Sequence, residues 1–506
     1  MPRPGFVLEV DEKTPPLLTM AGASVKLERF GPGTRVAYPA DAVPSSDPVP
    51  LIDAALESPV VGQPLAERLA PDVRLTIVVT DNSRPQPRMR FDVRRTMVER
   101  VLELAARNKV DDVQVVIATG LNRRWSDRDI TEVLGDRVAT SFLADNLITS
   151  HDVTSDDLVS IGEVGGHEVR MNARVASSDL VVSIGVRDDH AEGHPFTLGL
   201  TDVDTINRIA GFGAAPSATE DVAALISAQI PTFAVVAVLG QPRMHPSLSF
   251  LNRREWEWRF TDHLAYAAAR QFVAALPKQG AQKLYAAPRA DYVVLDMVGG
   301  EPEAVHAEAR EVWRAAHLVD LGRQADVLVA SVWGSAFDVG NPVGSPIRAA
   351  HNALVEQAGC HLGQPLVRDQ GVVVALHPLV QNFSNRTQSA SADFFVNVLP
   401  QTLDPFEIHE RFEAAAAVDP WYLNLYKERF AHHPLGVFHT WYRLREATQG
   451  LADVIWVGAD RRTAAMMGHR AASTLTDAYE IAAAVVGHRP EITHLHGPGR
   501  VLGSVS

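Results

Sequence analysis

Strands that alternate with helices along most of the chain predict an α/β fold of two domains, with mainly parallel sheets flanked by helices and a ligand cleft between the domains. Short apolar runs end at polar residues or glycine, and apolar residues at helical spacing follow them. At 506 residues the chain is too long for a single hydrophobic core. Such alternation is typical of parallel sheets that helices cover on both faces.

The first half of the chain contains three runs that predict buried strands. These are Val73–Thr80, Val113–Thr119 and Leu180–Ile184. Between the first two, apolar residues at Val93, Met97, Val101 and Leu104 share one face of a predicted helix. After the second, Ser126 and Asp129 resemble a capping box, and the short helix they begin is expected to stop at Gly135.

The same alternation returns in the second half. Strands are predicted at Tyr292–Met297, Asp326–Val332, Gly371–His377 and Val454–Val457. Helices are predicted around Val305–Trp313, Ile347–Ala358 and Thr476–Val486. His432 and His433 are expected at a helix end, and His439 in a strand that follows it.

Changes in pattern along the chain predict the domain boundaries. Residues 1–70 are rich in turn formers and are interpreted as an arm that packs on the first domain. The first α/β domain covers 71–240, and the second covers 290–506. Between them, residues 241–289 form an insertion or linker, in which prolines and a charged, tryptophan-containing run interrupt the strand–helix pattern.

Composition narrows the class of partner. The formal net charge of −14 argues against nucleic acid or an anionic membrane, because a polyanion is repelled overall. A small anionic substrate remains compatible where arginines and backbone N–H groups are concentrated. The longest apolar runs are strand-sized, Cys360 is the single cysteine, and no signal-peptide pattern is seen, so we expect a cytoplasmic protein. A homo-oligomer is left open.

Four polar loops follow predicted strands, where ligands bind in open α/β sheets. The loops are 81–87, 118–123, 186–194 and 333–345. In the first, Arg84 lies between prolines and suits bidentate capture of a carboxylate or phosphate. After the fourth, Ser345 is a predicted helix N-cap, so free N–H groups and Arg348 can face an anion. Any one loop could be an ordinary turn, but four in order predict a binding site.

Taken in order, these loops resemble the nickel-dependent lactate racemase family. The family motif Asp-x-Thr-Arg-Pro is matched by Asp81–Pro85, and Ala-Thr-Gly-x-His-Arg by Ala118–Arg123. A strand, a glycine and a histidine loop are matched by Asp179–His190, and Gly-x-x-Glu-Ala-x-His by Gly300–His306. The similarity runs from about Val73 to the C-terminus and is interrupted near residues 242–285.

The resemblance implies a racemase or epimerase of 2-hydroxy acids. The family uses a nickel pincer nucleotide derived from nicotinic acid, which takes a hydride from the substrate carbon and returns it to either face, while two histidines exchange the hydroxyl proton. The implied roles are substrate binding for Arg84, Ser345 and Arg348, cofactor binding for Asp81, Ser83 and Gly120, and proton transfer for His190.

Three departures from the family pattern bear on the cofactor and the chemistry. Asn122 occupies the position of the other catalytic histidine, and an amide is not a general base near neutral pH. The family's Gly-Gly-x-Lys, whose lysine is joined to the pincer, is replaced by Phe196–Leu200. The family's nickel-ligating histidine has no counterpart around Ala214–Ser217. A pincer nucleotide would therefore have to bind non-covalently and with another nickel ligand.

Three functional hypotheses follow. The first is a racemase or epimerase that holds the pincer nucleotide non-covalently. The second is an enzyme of different chemistry that binds a divalent metal at the Asp188–His194 loop, with His190 and His194 as ligands. Because Pro195 interrupts a continuing helix there, the pattern favours a solvated acidic loop over this metal site. The third is a non-catalytic relative that binds a hydroxy acid or a nucleotide.

Overall fold

The computed structural model describes residues 3–22, 24–81, 87–187, 195–277, 289–332, 344–497 and 500–505. Two large sheets, each flanked by helices, organise this part of the chain. No helix among these residues combines the length and the apolar character needed to cross a bilayer.

The strands are numbered in chain order. They are β1 Phe6–Glu9, β2 Leu17–Ala21, β3 Ser24–Glu28, β4 Arg35–Tyr38, β5 Leu75–Thr80, β6 Arg88–Met89, β7 Val113–Ala118, β8 Ile148–Ser150, β9 Val159–Val164, β10 His167–Met171, β11 Leu180–Arg187, β12 Thr232–Leu239, β13 Arg243–Met244, β14 Arg289–Asp291, β15 Val294–Gly300, β16 Leu318–Asp320, β17 Ala325–Ser331, β18 Val367–Leu376, β19 Asp453–Val457, β20 Arg470–Ala472, β21 Ile492–Leu495 and β22 Leu502–Ser504.

The α-helices are numbered in the same way. They are α1 Val49–Glu57, α2 Val93–Arg107, α3 Asp127–Leu143, α4 Ala173–Ala176, α5 Pro195–Gly199, α6 Val203–Ala210, α7 Ala218–Gln229, α8 Phe260–Ala275, α9 Pro302–His317, α10 Pro346–His351, α11 Ser389–Asp393, α12 Pro405–Ile408, α13 Ala414–Ala417, α14 Pro420–Arg429, α15 Leu435–Thr448, α16 Arg461–Met466 and α17 Leu475–Val486. Short 3₁₀ turns cover Leu65–Arg68, Pro246–Asn252, Glu255–Glu257 and Cys360–Leu362, and π-helical turns cover Asn352–Gln357, Phe394–Val398 and His409–Glu413.

The first sheet has the strand order β15-β12-β11-β5-β7-β8. All neighbours run parallel except β15, which pairs antiparallel with β12. From β5 the chain moves outward to β7 and β8, and it then returns to the other side of β5 at β11. The strand order therefore reverses between β5 and β11, and such a switch point opens a crevice at the carboxyl ends of these strands.

Alternating residues of the first sheet enter two separate cores. In β5, Ile77 and Val79 join the cluster beneath α2 and α3, whereas Val78 joins a cluster on the opposite face. Both faces are covered, so every residue of β5, β11 and β12 is buried. This explains why these strands appear in the sequence as continuous apolar runs rather than as an alternating pattern.

The second sheet has the strand order β1-β4-β21-β17-β18-β19-β20. It is parallel except for the pairing of β1 with β4. The strand order reverses between β17 and β21, so this sheet has its own crevice at their carboxyl ends. Smaller ladders join β13 to β14 and β6, β9 to β10, β2 to β3, and β16 to β22.

The predicted fold class is confirmed, and the structure corrects several details. β15 belongs to the first sheet, although its residues were predicted in the second domain. The leading arm divides, because β1 and β4 pair in the second sheet while α1 packs on the core of the first. The helix expected to stop at Gly135 continues to Leu143, and Gly135 interrupts it with a φ of 82°. The domain boundaries themselves stay a prediction.

Candidate functional site

The crevice of the first sheet lies where β5 and β11 end. Asp81 directly follows β5, and Arg187 is the last residue of β11. The predicted site residues Ser83, Arg84, His190 and His194 lie outside the described residues, as does the rest of the Asp188–His194 loop. Their roles stay predictions, but the structure describes the residues from which both loops leave the sheet.

The start of the first loop is fixed by a buried polar network. The Asp81 carboxylate is 8% exposed and accepts a hydrogen bond from the indole Nε1 of Trp125 at 2.6 Å. The guanidinium of Arg94 lies over the Trp125 ring, 5.8 Å from its centroid, and donates to the carbonyl oxygen of Thr80 at 2.7 Å. The Arg94 guanidinium also donates two hydrogen bonds to the carboxylate of Asp92. The backbone around Asp81 is therefore held from two sides.

Sequence reasoning missed Trp125 and Arg94. Trp125 comes two residues after the Ala118–Arg123 motif, and Arg94 lies in the first turn of α2. A tryptophan is commonly a core residue and an arginine commonly lies at the surface. The sequence pattern therefore gives no sign that these two side chains contact Thr80 and Asp81. Only the pairing of β5 with β7 brings the residues after these strands together.

The loop after β7 turns tightly against α5. Gly120 has a φ of 51°, and its N–H donates to the carbonyl oxygen of Gly199 at 3.1 Å. A Cβ atom at Gly120 would lie 2.0 Å from the carbonyl oxygen of Leu198. The next turn is closed by a hydrogen bond from the Asn122 N–H to the carbonyl oxygen of Thr119 at 2.9 Å. Glycine is required here both for the backbone conformation and for the close approach of the α5 backbone.

The crevice of the second sheet carries the other predicted anion-binding residues. Ser345 is buried and caps α10, and its hydroxyl accepts the Arg348 N–H at 3.4 Å. The predicted N-cap is thus confirmed, while binding to a ligand stays a prediction for both residues. His377, which directly follows β18, is fully buried, and burial lowers its pKa to about 3, so this histidine is neutral at physiological pH.

Two sets of hydrogen bonds connect the carboxyl edges of the two sheets. On one side, Gln241 follows β12 and exchanges two hydrogen bonds of 2.7 Å with the backbone of Arg500, which follows β21. On the other side, the Tyr426 hydroxyl donates to the carbonyl oxygen of Gly120 at 3.3 Å, and the His433 N–H donates to that of Leu121 at 2.9 Å. The two crevices are therefore on facing edges, and we take the region between them as the candidate site.

These connections use residues to which the sequence assigned other roles. His433 lies in the connection between α14 and α15 rather than at a helix end, and His439 lies in α15 rather than in a strand. His439 Nε2 is 2.8 Å from the side-chain oxygen of Asn207 in α6, so this helix also contacts the first half of the chain. Burial lowers the pKa of His433 to about 3 and that of His439 to about 4, which leaves both neutral.

Known proteins resemble this chain in two ways, by sequence over its first part and by structure over nearly all of it. Residues 31–192 match the family described as the lactate racemase N-terminal domain. The lactate racemase apoprotein from Thermoanaerobacterium thermosaccharolyticum has a similar structure, with a TM-score of 0.64 at 16% sequence identity over 96% of this chain and 99% of that one. The first part of the chain is thus similar to the lactate racemase N-terminal domain, and the chain shares the fold of that apoprotein.

Two further comparisons are less similar or negative. A protein from Thermotoga maritima aligns with a TM-score of 0.48 at 12% identity, over 92% of this chain and 100% of that one. No curated protein sequence matches the chain.

The described residues do not fit a covalently attached nickel pincer nucleotide. Where the family has its lysine, Phe196 and Leu200 are fully buried in an apolar cluster, so no amine is available. Residues 214–217 have no imidazole to ligate nickel. In the part of the chain that the structure describes, no group of three or more His, Cys, Asp or Glu side chains is placed to hold a metal ion.

Proposed function

We propose that the chain is an isomerase that racemises or epimerises a 2-hydroxy acid held between the carboxyl edges of its two sheets. The observation that carries the proposal is the connection of these edges through Gln241 with Arg500 and through Tyr426 with Gly120. This arrangement brings the carboxyl end of β5, where Asp81 lies, to the same region as the capped start of α10. The match of residues 31–192 to the lactate racemase N-terminal domain supports the reaction class.

We assign a role to three residues that follow strands of the first sheet. Arg84 lies three residues beyond Asp81, and its guanidinium binds the substrate carboxylate. His190 lies three residues beyond Arg187 and exchanges the hydroxyl proton as a general base. Asn122 orients the substrate through its amide, since it cannot take up a proton. Contact between the two edges excludes water from the reacting atoms.

The cofactor is part of the same proposal. A nickel pincer nucleotide would supply hydride transfer, and in this chain it would be held non-covalently by Asp81, Ser83 and Gly120. The test is nickel analysis with native mass spectrometry on protein made together with the enzymes that synthesise the pincer. An adduct that leaves on denaturation supports non-covalent binding, whereas protein free of both nickel and nucleotide contradicts it.

A non-catalytic protein that binds the same acid is the second candidate. The burial of Phe196 and Leu200 favours it, because an apolar core has replaced the position at which the family attaches its cofactor. The divalent-metal hypothesis involves residues outside the described part of the chain. A ligand that raises the melting temperature but is recovered with unchanged chirality after long incubation would identify the binding protein.

Loss of the Arg84 guanidinium tests the shared binding step. We expect Arg84→Ala to weaken 2-hydroxy acid binding by roughly 1.5–3 kcal/mol, as for a charged hydrogen-bonded contact. Arg137→Ala is the control, because this arginine lies on α3 with its side chain 68% exposed. Affinity is measured by calorimetry, and interconversion by chiral chromatography. Equal affinities of the two variants would refute the proposed carboxylate site.

A further inference from the structure

The outer face of α8 is apolar and exposed. Phe260, Leu264 and Phe272 are 82%, 60% and 57% exposed, although each is a large hydrophobic side chain. Ala268, between the last two, is exposed as well. These four residues follow one another at intervals of four, so they form one continuous row along the helix, which we call the α8 row. A surface helix of a globular protein normally exposes a polar face instead.

The opposite face attaches α8 to the rest of the protein. Tyr266 is buried, and the centroid of its ring lies 5.6 Å from that of Phe250 and 5.5 Å from that of Trp258. Asp262 is also buried and accepts a hydrogen bond from the guanidinium of Arg253 at 2.8 Å. The helix therefore has a packed face of its own, and the α8 row is not needed to hold it in place.

The α8 row is large enough to be an interaction surface. The exposed fractions of its two phenylalanines and its leucine amount to roughly 400 Å² of apolar surface. An apolar patch of this size on a single chain is often functional. The row belongs to the segment 241–289, where the similarity to the racemase family is interrupted, so the resemblance assigns no role to it.

The order of large and small side chains along the row is self-complementary. A two-fold axis level with Tyr266 makes two copies of α8 antiparallel and relates positions equally far on either side of that residue. Leu264 of one copy then lies opposite Ala268 of the other, and Phe260 lies opposite Phe272. A large side chain meets a small one at the centre, and aromatic pairs form at both ends. Such an isologous contact closes at two copies.

Charges at the helix ends favour the same arrangement. Arg259 is exposed at the N-cap of α8, where a cation is unfavourable because the amino end of a helix carries partial positive charge. The last turn of α8 has no basic residue to offset the partial negative charge of its carboxyl end. In the antiparallel pair, Arg259 of each copy lies level with Val273 of the other, near that carboxyl end. Each copy thus provides the cation that the other helix lacks.

We propose that α8 is a homodimer interface, in which the α8 row packs against the same row of a second copy of this chain. A second copy is the occupant because both the side-chain sizes and the charges match after a two-fold rotation. The two rows together contribute roughly 800 Å² of apolar surface, which is at the low end for specific interfaces, so the dimer dissociates at micromolar concentration. This inference goes beyond the proposed function and does not depend on it.

Sedimentation velocity of the full chain over a micromolar concentration series tests the interface. We expect the wild type to shift from monomer to dimer as the concentration rises. Leu264→Glu should stay monomeric throughout, because association would bury two unpaired charges. Val418→Glu is the matched control, since this valine is 69% exposed at the end of α13 and the same charge there should leave the dimer unchanged. If Leu264→Glu does not fold, Leu264→Ala removes apolar contact without adding a charge and should weaken association by at least about tenfold.

Arg259→Glu tests the antiparallel arrangement. The new carboxylate suits the amino end of its own helix, so the thermal stability of the monomer should not fall. It meets the carboxyl end of the other copy's helix, so association should weaken by about threefold or more, and by less at high salt. A role of Arg259 within one copy alone would not separate these two effects.

Several outcomes would overturn the interface. One is a wild type that remains monomeric at every concentration, and another is a dimer that Leu264→Glu leaves intact. Equal loss of the dimer in Val418→Glu would refute the assignment to α8. A dimer that Arg259→Glu strengthens or leaves unchanged would refute the antiparallel arrangement. Binding of a monomeric wild type to anionic lipid vesicles, abolished in Leu264→Glu, would assign the α8 row to a lipid surface instead.

Discussion

Replacing Glu255 tests how the segment between the two sheets is attached. Glu255 lies in a 3₁₀ turn, and its side chain is 3% exposed. One carboxylate oxygen accepts the Leu18 N–H at 2.6 Å and lies 2.7 Å from His496 Nε2, and the other accepts the Tyr38 hydroxyl at 2.9 Å. Leu18, Tyr38 and His496 lie in or next to strands β2, β4 and β21. The carboxylate of Glu255 thus attaches the segment 241–289 to the second sheet, through β4 and β21, and to the neighbouring strand β2.

The pKa of Glu255 gives the size of the effect. Burial raises this pKa, but the charge and hydrogen bonds of its partners outweigh burial and lower it from 4.5 to about 2. The difference corresponds to roughly 3 kcal/mol of stability. Because the folded-state pKa is the lower one, this stability is present above pH 4.5 and is lost as the pH falls through about 2. Glu255→Gln should therefore cost about 3 kcal/mol at neutral pH.

Urea unfolding followed by tryptophan fluorescence measures this cost, because Trp256 and Trp258 closely follow the substituted residue. The difference between wild type and Glu255→Gln should shrink by roughly 1.4 kcal/mol per pH unit below pH 4.5. Glu257→Gln is the control, because this carboxylate pairs with Arg3 at the surface, where an ion pair contributes at most about 1 kcal/mol. If both variants have the same stability at every pH, the reasoning from the buried carboxylate is refuted.

Two further substitutions test the loops of the candidate site. Gly120→Ala should destabilise the protein by at least about 3 kcal/mol in thermal unfolding, because its Cβ would lie 2.0 Å from the carbonyl oxygen of Leu198. Gly33→Ala is the control, since its φ is also positive but nothing lies within 4 Å, and similar losses would contradict the steric argument. Trp125→Phe removes the 2.6 Å hydrogen bond to Asp81 and should cost roughly 1.5–3 kcal/mol of stability while weakening hydroxy acid binding, as calorimetry would show. Unchanged stability and affinity would mean that the indole does not hold the loop.

The fold class could be predicted because its signals are local. Continuous apolar runs at 75–80, 113–118 and 180–187 are required in strands that helices cover on both faces, and the structure confirms each of them within a few residues. Capping is equally local, since the Ser126 box and the Ser345 cap involve atoms only three residues apart. The π-helical turn that follows α10 was not predicted, because its hydrogen-bond pattern has no signature in the spacing of apolar residues.

The candidate site could be predicted only in outline. Loops after strands identify the edge at which a ligand binds, and Asp81, Gly120 and Ser345 lie at those edges. The network of Trp125 and Arg94 was missed. Each of these contacts joins residues far apart in the chain, and each residue has an ordinary explanation when considered alone.

By itself, the sequence determined the main strands of both sheets, several of the helices between them, and that polar loops follow these strands, since these properties depend on the periodicity and chemistry of neighbouring residues. Only the tertiary structure decided that β15 joins the first sheet, that β1 and β4 extend the second, and that Tyr426 and His433 reach the loop after β7. Sheet membership and contacts between edges depend on hydrogen bonds between distant parts of the chain. No pattern of adjacent residues specifies such partners, because many strands of similar apolar character compete for each edge.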